Sequence, residues 1–189
     1  MRNVLMIVSG PSGVGKGTLV KRLIKEREDA TECITCTTRA PRSGEVHGRE
    51  YFFLSKEEFE KRIQEGGFLE YDKHFDNYYG TPKAFVEETL KVQSVILEID
   101  VVGALNAKKI YPDSVLVMIV PPSKEELAKR LSGRGTETEE EIERRLSRLD
   151  YELSQADKYD HVLVNDDLET AYKNLCDLLD EEKNVKGDR

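Results

Sequence analysis

The stretch Ser9-Gly10-Pro11-Ser12-Gly13-Val14-Gly15-Lys16-Gly17-Thr18 decides how the rest of the chain is read. From Gly10 to Lys16 it spells G-x-x-x-x-G-K, the pattern of a loop that cradles phosphate. Directly before it, Val4 to Val8 is a continuous apolar run, as in a strand buried on both faces. Directly after it, "GTLVKRLIKER" has the apolar spacing of an amphipathic helix. Strand, glycine loop and helix start are the context the motif requires. The glycines let successive backbone N–H groups converge on one anion, and the helix start adds partial positive charge. Lys16 would reach the β- and γ-phosphates of a nucleotide. A glycine-rich turn without a ligand is the plainer reading, and the flanking elements weigh against it. One position departs from the usual pattern. Gly17 stands where Ser or Thr normally offers magnesium a hydroxyl. Thr18 follows at once, and magnesium accepts water and substrate phosphates as most of its ligands, so the departure does not exclude a metal.

Outward from the loop, short apolar runs alternate with helical patterns. Strands are expected at Val4–Val8, Val95–Ile99, Val115–Val120 and Val162–Val164. Helices are expected at Gly17–Arg27, Pro82–Lys91, Val102–Lys109, Ser123–Leu131, Thr138–Ala156 and Leu168–Glu182. This order implies an α/β fold with a parallel sheet between layers of helices. Residues from 33 to about 80 break the rhythm. "ECITCTT" alternates like one half-buried strand, and "YFFLSKEEFEKRIQEGGFLEY" reads as strand, helix, strand. Ser55 and Glu58 make a capping box for that helix, and Gly66-Gly67 stops it. A second interruption, from about 124 to 155, reads as a charged helical pair broken at "SGRGTETEEE".

Composition narrows the function classes. The 189 residues suit one domain with small insertions, 38% of them being apolar and 35% charged. A net charge of −8 argues against general binding to nucleic acid or anionic membrane, so any anion site must be local. No apolar run approaches a membrane span, and Val4–Val8 is too short for a secretion signal, so a cytoplasmic location is expected. Cys33 and Cys36 form a C-x-x-C without a second half-site, and the histidines are scattered, so they are read as ordinary reduced cysteines.

The partners an ATP site needs can also be located. In "VILEID" Glu98 and Asp100 fall two apart at the end of an apolar strand, on one side of it. A carboxylate there is costly unless it meets a cation, so Asp100, ahead of Glu98, is a candidate for metal or substrate work, with Thr18 a second candidate for metal. "TTRAPRSGE" places Arg39 and Arg42 in a loop with little else to do, and Arg grips phosphate oxygens bidentately. Arg134, Arg144, Arg145 and Arg148 sit among glutamates on a helical stretch, where i,i+4 pairing is the bland alternative.

Taken together, "GPSGVGKGT", "TTRAPRSGEVHGREY", "FLEYDKHFDNYYGTP", "ILEID", "GRGTETEEEIERRL" and "VNDD" resemble the guanylate kinase family, in family order from Val4 to about Leu179. The resemblance implies a P-loop nucleoside-monophosphate-kinase fold: core 1–32, 95–123 and 156–189, a GMP-binding insertion at about 33–94, and a helical lid at about 124–155. It implies that Gly10, Pro11, Ser12, Gly13, Val14, Gly15, Lys16, Gly17 and Thr18 hold the ATP phosphates, with Asn165 and Asp166 near the adenine. Arg39, Arg42, Tyr51 and Tyr79 would hold the GMP phosphate. Glu70 and Thr81 would read guanine, assisted by Thr35 and Asp100. Lys16, Arg39, Arg134 and Arg145 would carry catalysis, the last two from the lid. Family members often have Ser at positions 17 and 35 and Gly at position 76, where this chain has Gly17, Thr35 and Asp76. Adenylate kinases also read G-K-G-T, so Gly17 is compatible with nucleotide kinase activity.

The chemistry of that reading is ATP + GMP giving ADP + GDP with Mg²⁺, and dGMP as a further acceptor. One carboxylate accepts both the N1–H and N2–H of guanine, and a hydroxyl donates to O6. Adenine would leave a buried Glu70 unpaired. Two alternatives stand beside it. One is a catalytically silent scaffold domain that binds phosphopeptides, which the intact Gly10, Gly15 and Lys16 disfavour. The other is a kinase of the same fold with a different acceptor, which Glu70 and Thr81 disfavour. The expected partners are the two nucleotides, with neither nucleic acid nor membrane. The residues do not decide between a monomer and a homo-oligomer.

Overall fold

The computed structural model of the chain describes residues 2–74, 76–132 and 139–185. At its centre lies a five-stranded, wholly parallel sheet of β1 (Leu5–Ser9), β2 (Ala30–Glu32), β7 (Ser94–Glu98), β8 (Val115–Val120) and β9 (His161–Val164), in the order β2-β7-β1-β8-β9. Every residue of β1 and of β8 is buried. The period-two geometry of a strand divides β1 between two cores. Val4, Met6 and Val8 pack with Leu19, Val20 and Leu23 of α1 (Lys16–Glu26) and with Ala171, Leu175 and Leu179 of α7 (Leu168–Asn184). Leu5 and Ile7 face the opposite core, with Val101, Ala104 and Ala107 of α4 (Val101–Ile110) and Val86 of α3 (Lys83–Thr89). Each of the Val, Leu, Ile and Met side chains contributes about 1.5–3 kcal/mol by leaving water, which is why these runs are apolar on both faces.

The order of strands positions the site. The chain leaves β1 towards β7 and β2 on one side, and later towards β8 and β9 on the other. The crevice at the carboxyl end of β1 is therefore a switch point, where open α/β sheets bind ligands. Ser9-Gly10, Glu98 to Asp100 and Asn165 all lie at carboxyl ends of these strands.

The expected interruption after residue 32 is a second sheet of order β4-β3-β6-β5, built from β3 (Cys36–Thr37), β4 (Phe52–Phe53), β5 (Phe68–His74) and β6 (Asn77–Pro82). Its core is Cys36, Phe59 and Phe68, with the Phe59 and Phe68 rings stacked at 4.3 Å. The helix α2 (Lys56–Gln64) begins with the anticipated capping box, Ser55 and Glu58 each bonding the other's backbone, and Gly66 with φ 66° follows its end.

Three local expectations are corrected. "ECITCTT" is not one strand: Cys33 N donates to Ile96 O of the central sheet, whereas Cys36 and Thr37 pair with β4 and β6 of the second. The chain changes sheets between the two cysteines. Pro82 ends β6 rather than opening a helix, and α3 starts at Lys83. The long charged helix ends at Leu153, and Ala156–Lys158 form a separate 3-10 turn. The helical pair itself is α5 (Lys124–Ser132) and α6 (Glu139–Leu153), joined by Leu127, Leu131 and Leu149. The break anticipated between them lies outside the described residues.

Candidate active site

The phosphate-loop segment has the backbone its glycines permit. Gly10, Gly13 and Gly15 have φ of 136°, 88° and 100°, the left-handed side that side chains rarely adopt. Close approach adds a second constraint: a Cβ on Gly10 would lie 2.1 Å from Ile119 O, and one on Gly15 2.5 Å from Asn165 Nδ2. Helix α1 starts without a side-chain cap and without an acid in its first turn. Ser55 on α2, Asp100 on α4 and Asp167 on α7 cap their helices from side chains, whereas α3, which follows Pro82, has no such cap either. The first-turn N–H groups of α1 are thus the donors an anion would take. Lys16 Nζ donates to Gly10 O at 2.6 Å and Pro11 O at 3.0 Å, which places the ammonium over the loop.

Ser12, Gly13, Gly15, Lys16, Gly17, Thr18, Lys21 and Glu98 line a cavity of about 350 Å³. A Cβ on Gly17 would meet Glu98 Oε2 at 3.3 Å, so the missing side chain leaves room for a carboxylate. Burial raises the proton affinity of Glu98, and the charge of Lys16 opposes that rise. Thr18 is exposed. Pro11 and Val14 are buried at the loop's base, and the amide of Asn165, 4% exposed, donates to Val14 O at 2.8 Å. Arg130 of α5 in turn donates to Asn165 O at 2.8 Å and to Asp166 O at 3.3 Å, while Asp166 itself is exposed. From α6, Arg145 Nη1 donates to Ser12 Oγ. Arg134 lies outside the described residues.

A larger cavity of about 860 Å³ adjoins the first and shares Glu98 with it. Of the eight residues expected at an acceptor, Thr35, Arg39, Arg42, Tyr51, Glu70, Tyr79 and Asp100 line it. The eighth, Thr81, is fully buried behind them and donates its hydroxyl to Glu70 Oε1 at 2.5 Å. Burial pushes the Glu70 carboxyl above the ordinary carboxylate range; the Thr81 bond works against that shift and the Asp100 charge adds to it. The absence of a side chain on Gly103 helps seat Glu70, whose Oε2 lies 3.3 Å from where a Cβ would stand. Asp100 carries a second duty, since its Oδ1 accepts Gly103 N at 2.8 Å and caps α4.

Arg39 is held by neighbours within the insertion. Glu45 takes it bidentately at 2.9 and 3.0 Å, and its guanidinium lies 5.5 Å from the Tyr51 ring centroid and 5.9 Å from that of Phe53. Tyr51 and Tyr79 meet edge to face at 6.2 Å. Arg39, Arg42 and the two tyrosines thus form one polar wall, and Glu70 with Thr81 another. Sequence reasoning did not single out Glu45, Asp72, Asn77 or Asn106. The last three line the cavity; the pairing of β5 with β6 brings Asp72 and Asn77 there, and the packing of α4 brings Asn106. In the C-x-x-C, Cys33 and Cys36 are free and buried, and burial pushes the Cys36 thiol up to about 11 and that of Cys33 higher still. Among the described residues no group of three His, Cys, Asp or Glu could hold a metal, and no helix is long and apolar enough to cross a membrane.

The family model for guanylate kinase matches residues 2–182. A guanylate kinase of Clostridioides difficile is 48% identical over 184 residues, covering 97% of this chain and 90% of its relative. One from Caldanaerobacter subterraneus is 47% identical over 183 residues, covering 96% and 89%. In three dimensions the chain is similar to the crystal structure of guanylate kinase from Anaplasma phagocytophilum, with a TM-score of 0.72, 31% identity, and coverage of 98% of this chain and 88% of that one. A shikimate kinase from Bacteroides thetaiotaomicron, 15% identical with a TM-score of 0.52, shares the fold alone. Sequence family, curated relatives and architecture agree over nearly the whole length, and the chain belongs to the guanylate kinase family.

Proposed function

We propose that the protein transfers the γ-phosphoryl group of ATP to GMP, giving ADP and GDP, with ATP in the phosphate-loop cavity and GMP in the larger one. The observation that carries this reading is the Glu70–Thr81 pair. A carboxylate sunk in the acceptor cavity and oriented by a buried hydroxyl is a costly arrangement that two adjacent N–H donors of guanine would satisfy. Thr81 gives its one proton to Glu70, so in this rotamer it does not also donate to guanine O6; its part is to fix the carboxylate. Arg39, Arg42, Tyr51 and Tyr79 take the GMP phosphate, while Thr35 and Asp100 assist Glu70 and Thr81 at the base. These groups address base and phosphate, so dGMP is an acceptor too.

The acceptor oxygen on GMP is already anionic. It attacks the γ-phosphorus in line, an O–P bond forms as the bond to the β,γ-bridging oxygen breaks, and ADP departs without a general base. His47 and His161 line neither cavity, which suits a reaction that needs none. Lys16 and the α1 amides gather the ATP phosphates. Arg39, Arg145 and, from the segment around 134, Arg134 offset the repulsion between the two polyanions. Asn165 holds the loop from beneath, and Asp166 stands at the adenine side. The unit 124–155 acts as the lid and 33–94 as the acceptor insertion, closing on the core of 1–32, 95–123 and 156–189 to exclude water.

Magnesium fits the donors present. Thr18 and Glu98 line the loop cavity, Glu98 fills the space that Gly17 leaves, and Asp100 would act through water. When bound, the ion neutralises charge on the β- and γ-phosphate oxygens. The free cysteines suit a reducing compartment, and we place the enzyme in the cytoplasm. ADP release measured with GMP, dGMP, AMP, UMP and ribose 5-phosphate as acceptors tests the reading. Turnover is expected with GMP and dGMP and at least about a thousandfold less with AMP, the scale of rejection when a buried polar group is left unpaired. Comparable turnover with AMP, or none with GMP, would overturn it.

A further inference from the structure

On α6, Arg148 and Glu152 lie one helical turn apart and so share a face. Their neighbours Asp150 and Tyr151 are exposed, but Glu152 is only 7% exposed. A carboxylate is expensive to bury unless cations face it. Burial raises the proton affinity of Glu152; Arg148 first and Lys16 second pull it back, and Asp100 adds to the rise. Lys16 lines the loop cavity, while Arg148 and Asp100 line the acceptor cavity. Glu152 lines neither, and stands on α6 one turn beyond the acceptor-cavity residue Arg148.

Arg148 is exposed and, among the described residues, makes no hydrogen bond of its own, yet it lines the acceptor cavity with Arg39 and Arg42. Three residues earlier on the same helix, Arg145 reaches Ser12 of the phosphate loop. Three residues are about 4.5 Å of helical rise. One helix thus places one guanidinium at the donor's loop and the next at the acceptor's cavity. A guanidinium has five donors and no acceptor, so its natural partner in that cavity is the phosphate dianion rather than a base edge already met by Glu70.

We propose that Arg148 is a further anion-binding residue of the acceptor site, contacting the GMP phosphate from the lid side, and that Glu152, buried one turn along the same face, is a positioning residue that steers the guanidinium by its charge rather than by a hydrogen bond. The proposal rests on the reading of the larger cavity as the GMP site.

The test is calorimetric binding of GMP and of guanosine, which lacks the phosphate, to the wild type, Arg148→Ala, Arg148→Lys, Glu152→Gln and the double variant Arg148→Ala/Glu152→Gln. Arg148→Ala should weaken GMP about tenfold and leave guanosine unchanged, with Arg148→Lys in between, as loss of one charge-assisted contact implies. Glu152→Gln should weaken GMP by a similar factor in the wild type and by nothing more once Arg148 is gone. Unchanged GMP affinity in Arg148→Ala, or equal loss for guanosine, would overturn the role of Arg148. Additive losses in the double variant would overturn that of Glu152. If the wild type bound guanosine and GMP equally, the reading of the cavity itself would fail, a result distinct from the others.

Discussion

Replacing Gly17 by alanine separates two effects that the structure sets in opposite directions. Gly17 is the second residue of α1 and is not among the glycines with positive φ, so alanine can adopt its backbone. Alanine is favoured over glycine by about 1 kcal/mol in a helix interior and by less in the first turn, so folding should gain about 0.5 kcal/mol. The new Cβ would meet Glu98 Oε2 at 3.3 Å and Oε1 at 3.6 Å, the far end of a flexible side chain that can retreat a few tenths of an ångström. The retreat draws Glu98 out of the loop cavity. If that carboxylate helps hold the metal that accompanies ATP, the magnesium needed for half-maximal rate should rise by about three- to tenfold, equivalent to about 0.7–1.4 kcal/mol. Urea unfolding reads the first effect. Magnesium titration at fixed ATP reads the second, with Mn²⁺ binding followed by spin resonance as a readout independent of turnover. Gly17→Ser adds a hydroxyl with its Cβ and should need less magnesium than the alanine variant. A loss of stability beyond about 1 kcal/mol would show that Glu98 does not yield. An unchanged magnesium and manganese requirement would remove Glu98 from the metal's surroundings.

Thr81→Val keeps the shape and deletes only the hydroxyl that Glu70 accepts; KM for GMP should rise about ten- to a hundredfold with KM for ATP unchanged, and a parallel rise in both would make the pair merely structural. Asn165→Ala removes the donor to Val14 O, costing about 1–3 kcal/mol in urea and speeding hydrogen exchange of the loop amides, whereas wild-type exchange there would refute the clamp. The Arg27 guanidinium, and after it Lys183, hold the Asp29 carboxyl well below the ordinary range. A lowered folded value contributes stability that is present above the unfolded value near 4 and is lost as pH falls below it. The urea midpoint should therefore drop between pH 6 and pH 2.5 less steeply in Asp29→Asn than in the wild type, and identical slopes would contradict the assignment.

What could be read from the residues, and what could not, follows the range of the interactions. Val4–Val8 and Val115–Val120 announce themselves because burial on both faces leaves no polar position, and β1 and β8 are found there. The Ser55–Glu58 box is legible because both partners lie within one turn. The three-residue β2 carries no periodicity and exists because Ala30–Glu32 pairs with β7, more than sixty positions away. In "NYYGTP" Gly80 and Pro82 look like breakers. Gly80 is instead a packing requirement, since a Cβ would meet Phe59 Cζ at 2.9 Å, and Pro82 stands at the end of its strand. The site divides the same way. The loop, Arg39, Arg42 and Glu70 were legible as residue types in motifs. The bond of Thr81 to Glu70, the cap that Asp100 places on α4, the support of Asn165 beneath Val14 and the cavity position of Arg148 depend on contacts between distant segments.

Direct transfer requires the two cavities, joined at Glu98, to accept two nucleotides at once. Calorimetric titration of GMP into protein saturated with a non-hydrolysable ATP analogue tests this directly. One equivalent of GMP should bind, with affinity equal to or higher than in the absence of the analogue. Exclusion of GMP by the bound analogue would contradict it, because two anions that compete for one cleft cannot be substrates of a direct transfer.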